Sequence, residues 1–249
     1  MSLHNSIFKS KPCENQKRFS INARPGDDLQ GLPSCGQIAD EAIGAGQTQT
    51  GERLDCNPRL ASFVKRLFDV SLGVFLLPIV SLPMLAIALS VWLTSRGPVL
   101  YWSDRIGRNN KVFRMPKFRT MYIDTPEVAT HLLGNARSYI TPVGSLLRKT
   151  SLDELPQIFS ILCGDLSFVG PRPALHNQYD LVFLRTECGV HKILPGLTGW
   201  AQVNGRDDLP IPLKVKYDYE YSRRSSLLFD IEIIFRTLVR VTRRDGVIH

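Results

Sequence analysis

The sequence lacks the marks by which several large protein classes are recognised. It has no G-x-G-x-x-G turn, no G-x-x-x-x-G-K-[S/T] loop, no H-E-x-x-H pair and no paired Cys/His spacing. Dinucleotide chemistry, P-loop hydrolysis and structural zinc are therefore set aside. Five cysteines (Cys13, Cys35, Cys56, Cys163, Cys188) are scattered, odd in number and without C-x-x-C spacing, which excludes a disulfide framework and points to reduced, cytoplasmic thiols. The opening residues MSLHNSIFKSKP have no apolar core of the length a secretory signal needs, so the amino terminus is expected to stay in the cytoplasm.

Residues 1–60 are short of apolar periodicity and rich in Gly, Gln, Asn, Ser, Pro and Asp, which predicts a disordered tail with a small docking role left open. They hold seven Lys/Arg and seven Asp/Glu, so the whole formal charge of +8 belongs to residues 61–249. Such a basic surface can meet nucleic acid, anionic lipid or phosphorylated substrates, and charge alone does not choose among them. A chain of 249 residues with 43% hydrophobic composition suits one packed domain plus an appendage.

What is present begins with 26 consecutive uncharged residues, Val70 to Ser95. As a helix this run measures about 39 Å, against a hydrocarbon layer of about 30 Å. Lys65 and Arg66 precede it while Arg96, Arg105 and Arg108 follow, so both ends favour the cytoplasmic face. A helix that dips in, bends and returns satisfies both ends. Pro78 and Pro83 supply the bend and Ser81 can satisfy a freed carbonyl, which predicts a re-entrant, monotopic segment. After it, GPVLYWSDRIGRNNKVFRMPKFRTM reads as a short hairpin turning at Gly107 to Asn110. Trp92, Tyr101 and Trp102 suit either an interfacial belt or an ordinary core. Near the carboxyl end, Leu228, Ile231, Ile234, Phe235, Leu238 and Val239 share one helical face, followed by Arg236, Arg240, Arg243 and Arg244. This is either a core helix with a basic cap or a helix lying in the membrane interface.

Four runs carry candidate chemistry. In RKTSLDELPQIF, Asp153 and Glu154 are adjacent carboxylates behind Arg148 and Lys149. One carboxylate can attack phosphorus while its neighbour manages a proton and a divalent ion screens the charge. Ser151 and Glu154 also fit an S-x-x-E capping box, a purely structural alternative. In GDLSFVGPRPA, Arg172 lies between Pro171 and Pro173, and a guanidinium on so stiff a backbone is a ready phosphate clamp or a solvated turn residue. FRMPKFRTM places Arg114, Lys117 and Arg119 near the apolar segment, where a headgroup or nucleotide would approach. PGLTGWAQVNGR, with Gly196, Gly199, Gly205, Trp200, Asn204 and Arg206, suggests tight turns at a pocket edge or a structural element alone.

Together KRLFDV, KFRTM, RKTSLDELPQ, GDLSFVGPRP and PGLTGWAQVNGR resemble the bacterial sugar transferase family, the small monotopic phosphoglycosyl transferases, over roughly residues 61–249. The resemblance implies a mixed α+β fold, a compact helix-rich catalytic domain with a short hairpin, anchored by a re-entrant helix-break-helix and amphipathic interfacial helices. It implies that Asp153 attacks the β-phosphorus of a UDP-sugar, expels UMP and passes the sugar phosphate to polyprenol (undecaprenyl) phosphate. Mg2+ dependence follows, with Asp153 at the metal, and Glu154 as base or metal organiser. Lys117, Arg119, Arg148 and Arg172 carry over as phosphate contacts. Family members often break the membrane helix at a Ser-Pro pair, whereas this chain reads Ser81-Leu82-Pro83.

The expected organisation is a tail over 1–60, a re-entrant helix with flanks over 61–103 and the catalytic domain over 104–249. The expected location is the bacterial inner membrane, with the domain on the cytoplasmic face. Nucleic acid is not an expected partner, and a homo-oligomer is left open. The alternative function is a membrane-anchored scaffold for polysaccharide assembly, and the sugar transferred cannot be read from the sequence.

Overall fold

The computed structural model describes residues 17–18, 33–44, 58–123, 125, 136–205 and 209–243. Along the chain these form β1 (Lys17–Arg18), α1 (Cys35–Gly44), α2 (Pro58–Thr94), β2 (Leu100–Ile106), β3 (Lys111–Phe118), α3 (Ala136–Tyr139) and α4 (Pro142–Thr150). There follow α5 (Gln157–Cys163), β4 (Ser167–Val169), β5 (Ala174–Leu175), α6 (Tyr179–Glu187), β6 (Gly196–Thr198), α7 (Trp200–Gly205), α8 (Ile211–Arg224) and α9 (Leu227–Arg243). The result is the expected mixed α+β, helix-rich body.

The hairpin forms where the turn residues place it. β2 and β3 run antiparallel from Leu100 opposite Phe118 to Ile106 opposite Val112. Asn109 and Asn110 in the connecting turn are left-handed, at φ 56° and 57°, which short amide side chains tolerate. β1 joins the sheet beside β3, and β5 joins beside β2. Beyond the two β1 pairs β3 is an edge, so Pro116 costs the sheet no ladder bond on that side. A second sheet pairs β4 and β6 in parallel and brings the GDLSFVGPRP and PGLTGW runs together. Gly196 and Gly199 permit this approach: a Cβ on either would stand 2.1 Å from the backbone of Gly170. Trp200 is buried in the main core and Asn204 donates to the Trp200 carbonyl, so this run packs the body; Arg206 lies outside the described residues.

α2 contains the long apolar run, and among the described residues it is the one helix long and apolar enough to cross a membrane. Helix continues from Pro58 to Thr94 with both Pro78 and Pro83 inside it. Ser81 Oγ donates to the Pro78 carbonyl at 2.8 Å, not to the Ile79 carbonyl that Pro83 deprives of its partner. Both ends of the run dock on the body. At the near end Asp69 is buried and accepts from Ser167 Oγ (3.0 Å) and the Phe168 amide (3.1 Å), while Arg66 donates to the carbonyls of Ile161 and Leu162. Lys65 donates to Asp230 Oδ2 (2.5 Å) on α9, and Tyr221 joins them by donating to Asp230 Oδ1 (2.7 Å). Lys65 and Arg66, read from sequence as topology signals, are thus spent on tertiary contacts. At the far end Val91 packs with Phe118 and Leu147, and Ser95 meets Arg119 of the strand-end segment. Phe75, Ile79, Leu82, Leu85, Trp92 and Leu93 remain exposed on the opposite side.

One further departure from expectation has a simple cause. Within the stretch read as a tail, α1 packs on α8 with Ile38 only 3% exposed, because the cluster of Leu181, Leu184, Val190 and Val215 offers it an apolar floor. In α9, Phe229 and Ile233 face the core, while Leu228, Ile231, Phe235 and Leu238 of the expected apolar face stand exposed. That helix carries two apolar stripes; most of the one read from sequence is the outer one, as the interfacial alternative requires, while Ile234 of it packs against the core. Trp92, Tyr101 and Trp102 are exposed as well, as an interfacial belt requires.

Candidate active site

The site grows out of the end of α4. Thr141 caps this helix by accepting from the Gly144 amide at 2.9 Å, and Pro142 begins it, so its start is fixed. Its end is marked by Ser151 at φ 56°, a left-handed cap filled here by a residue other than glycine. The next turn, Leu152–Glu154, is a 3-10 segment carrying both acids. The S-x-x-E capping box does not form. Ser151 makes no side-chain cap, because its left-handed backbone ends one helix instead of starting another, and the Glu154 side chain turns to cations.

Glu154 Oε1 accepts from Lys117 Nζ on β3 at 2.6 Å and from Arg172 Nη2 at 3.0 Å. Burial pushes its carboxyl upward, but the charges of Arg172 and Lys117 outweigh that and hold it well below the usual carboxylate range. Asp153 differs in kind. It is buried, enters no ion pair among the described residues, and burial raises its carboxyl above the ordinary value, reinforced by Glu154 and opposed by Lys117 and Arg148. Burial lowers Lys117, against the pull of Glu154. Two adjacent acids are thereby driven apart, one fixed as an anion among cations and one less comfortable as an anion and uncommitted.

Arg148 reaches the cluster's edge, where its Nε donates to Thr120 Oγ1 at 2.9 Å and its charge acts on Asp153. The structure therefore gathers Asp153, Glu154, Lys117, Arg148 and Arg172. Arg119 is set apart: it is buried and its Nη2 donates to the carbonyl (2.7 Å) and Oγ (2.9 Å) of Ser95, while Nε and Nη1 find no partner among the described residues. It ties the far end of α2 to the strand that carries Lys117. Gly97 lies against it at φ 110°, where a Cβ would come within 2.5 Å of Nη1.

Several contributors carry no sequence signal of their own. Thr120 orients Arg148, Arg105 donates to the Pro173 carbonyl, and Arg185 of α6 donates to the Arg172 carbonyl. Arg105 and Arg185 act on backbone oxygens and Thr120 through its hydroxyl, each on a partner distant in sequence, which no motif spacing reveals. Among the described residues no group of three or more His, Cys, Asp or Glu is poised to hold a metal. The neighbouring oxygens of Asp153 and Glu154 nonetheless fit a hard divalent cation such as Mg2+, which takes one or two carboxylates and completes its shell with phosphate and water.

The arrangement, a buried uncommitted carboxylate in a cluster with three cations and carried on a body fastened to an apolar helix, suits phosphate chemistry at a lipid boundary. Comparison with known proteins agrees with it. The chain is 40% identical over 185 residues to a UDP-glucose:undecaprenyl-phosphate glucose-1-phosphate transferase of Escherichia coli, covering 71% of this chain and 40% of that protein. It is 38% identical over 203 residues to an undecaprenyl-phosphate galactose phosphotransferase of Salmonella typhimurium, covering 76% and 42%. An uncharacterised sugar transferase of Bacillus subtilis is 37% identical over 184 residues, covering 74% of this chain and 90% of that protein. The chain thus spans about two fifths of the first two relatives. The bacterial sugar transferase model matches residues 60–244, from the start of α2 to just past the end of α9, and with every member of the acid and base cluster inside that match the chain belongs to the bacterial sugar transferase family.

Proposed function

We propose that the protein transfers a sugar 1-phosphate from a UDP-sugar to undecaprenyl or a related polyprenol phosphate and releases UMP. The observation that carries this reading is the division between the two acids: Glu154 is locked onto Lys117 and Arg172, and Asp153 beside it is buried without an ion pair. A carboxylate Oδ of Asp153 attacks the β-phosphorus of the donor, and the bond from that phosphorus to the bridging oxygen breaks. UMP departs with the electron pair, and the sugar phosphate remains on Asp153 as an acyl phosphate. A phosphate oxygen of the polyprenol then attacks the same phosphorus, and the Asp153 carboxylate leaves.

Lys117, Arg148 and Arg172 meet the phosphate charge, while Arg119, set apart on Ser95 at the far end of α2, holds the strand that carries Lys117. Glu154, held ionised by its partners, serves as organiser of these cations more readily than as a base. Mg2+ on Asp153 and the donor phosphates would screen the charge that the attack must overcome. α2 keeps the site at the bilayer surface. Because both of its ends return to one body, the monotopic arrangement with that body on the cytoplasmic face follows more naturally than a simple span.

The test incubates protein in detergent or nanodiscs with Mg2+, polyprenol phosphate and a panel of UDP-sugars, and reads UMP. Release from at least one donor is expected from the wild type and none from Asp153→Asn, which should stay membrane-bound. Undiminished release by that variant would refute the covalent route, and silence from the wild type across the panel would favour a scaffold.

A further inference from the structure

Arg172 works as a phosphate clamp only if its backbone aims the guanidinium at Glu154. Pro171 and Pro173 fix two φ angles, and Pro173 biases Arg172 to an extended ψ, yet neither ring sets the φ of Arg172 or the ψ of either proline. Three consecutive carbonyls report how that freedom is removed. The Pro171 carbonyl accepts from the Gly196 amide (3.0 Å), the Arg172 carbonyl from Arg185 Nη1 (2.8 Å), and the Pro173 carbonyl from Arg105 Nη1 (3.3 Å). The middle bond governs Arg172 itself, and its donor is held from behind: Arg185 Nε and Nη2 both donate to Asp218 Oδ2, at 3.0 and 2.6 Å. Asp218 is 1% exposed and lies on α8.

We infer that the buried Arg185–Asp218 pair is a positioning device, which sets the Pro171–Pro173 turn so that Arg172 meets Glu154. Ion pairs buried this deeply add little net stability over apolar residues of the same volume, so geometry is the better reason for one here. Neither residue touches the acids, and the pair acts only through the Arg172 carbonyl. The inference rests on the proposed role of the Asp153 site, and its test has one arm that does not.

The first arm is a double-mutant cycle on UMP release, using Arg185→Lys and Asp218→Asn each alone and with Arg172→Ala, with vesicle flotation and thermal unfolding confirming folded, membrane-bound protein. Arg172→Ala should lower release about a hundredfold. Either pair variant should lower it about tenfold in kcat with KM for the donor moving less. In the Arg172→Ala background the pair variants should cost less than about twofold, since their route of action is already gone. Equal costs in both backgrounds would mean the pair merely supports the fold, and the inference would be lost. The second arm follows hydrogen exchange at the amides of Arg172 and Ala174. Faster exchange there in Arg185→Lys or Asp218→Asn, with α4 unchanged, is the expected result, and exchange equal to wild type would overturn the inference even if no donor in the panel were turned over. Two variants are used so that one unfolded protein does not remove the measurement.

Discussion

The two neighbouring acids should respond to neutralisation with opposite signs. Glu154 has a folded pKa held below its unfolded value, so it contributes stability above the unfolded value that disappears only as pH falls through the folded one. Asp153 has a raised folded pKa, so its ionised form is a penalty at neutral pH, present in full above the folded value and absent below the unfolded one. Glu154→Gln, which strands Lys117 and Arg172, is expected to cost about 3 kcal/mol at pH 7. Asp153→Asn is expected to add about 1 kcal/mol at pH 7, the exchange of function for stability found at active sites. Thermal unfolding at pH 7 and pH 4 checks both, and the gain in Asp153→Asn should fade at the lower pH. The acidic limb of UMP release belongs to the same group: Asp153 must be ionised to attack, so activity should fall as pH drops through a value above the ordinary carboxylate range. Lys117→Met removes a charge that holds Asp153 down, and its limb should move to higher pH. Asp153 and Glu154 were legible as a pair because one run sets them side by side, and Arg172, in a separate run, joined them, as did their different roles, through the family resemblance. Which acid is ion-paired was not legible, since it depends on which one Lys117 of a distant strand reaches, and the same letters S-x-x-E spell a helix start that the left-handed Ser151 forbids.

Among elements, α2 was the most legible and its path the least. Length and lack of charge identify an apolar helix, and the cations on either side suggest a common face for its ends. What periodicity could not show is that Asp69, Gly73, Leu76, Val91 and Ser95 form a protein-facing line while Phe75, Ile79, Leu82 and Leu93 look outward, because all of these residues but Asp69 are apolar or small. The docking of both ends makes a topological prediction. Cysteines placed singly at Leu60 and Arg96, in a chain whose native cysteines are replaced by serine, should both react with an impermeant maleimide from the cytoplasmic side of sealed vesicles. Labelling of the two from opposite sides would establish a span and remove the monotopic reading. Asp69→Ala tests the docking itself. It leaves the Phe168 amide buried without its partner, should cost about 2 kcal/mol, and should quicken proteolysis between α2 and β2. α9 repeats the lesson in reverse: the heptad-like spacing found a face, but Phe229 and Ile233 supply a second one, and only the neighbouring Trp200 and Tyr221 decide which is inward.

At the scale of the whole molecule, charge and apolar surface are separated: Lys117, Arg148 and Arg172 gather with two carboxylates and the Arg185–Asp218 pair stands behind them, while the apolar surplus lies on α2 and the outer stripe of α9. Lys65–Asp230 ties these two helices together near their starts, and Leu60 and Phe63 on one and Leu228 and Ile231 on the other are exposed. The least legible part of the molecule is α1, whose composition is too rich in Gly and Ala to announce a core contact and which precedes the family match at residue 60. Its burial of Ile38 nonetheless places it in the cluster floored by Leu181, Leu184 and Val215, the last being on the helix that carries Asp218. Truncating that side chain removes about three buried carbons and leaves a void that a rigid floor of α6 and α8 cannot close, so Ile38→Ala is expected to cost about 3 kcal/mol. The loss should appear as a lower thermal midpoint of the full-length protein in nanodiscs, with UMP release per folded molecule within about twofold of wild type, because neither acid nor any of the phosphate contacts lies within that cluster. A midpoint equal to wild type would mean that α1 does not dock in solution and that the body begins at α2.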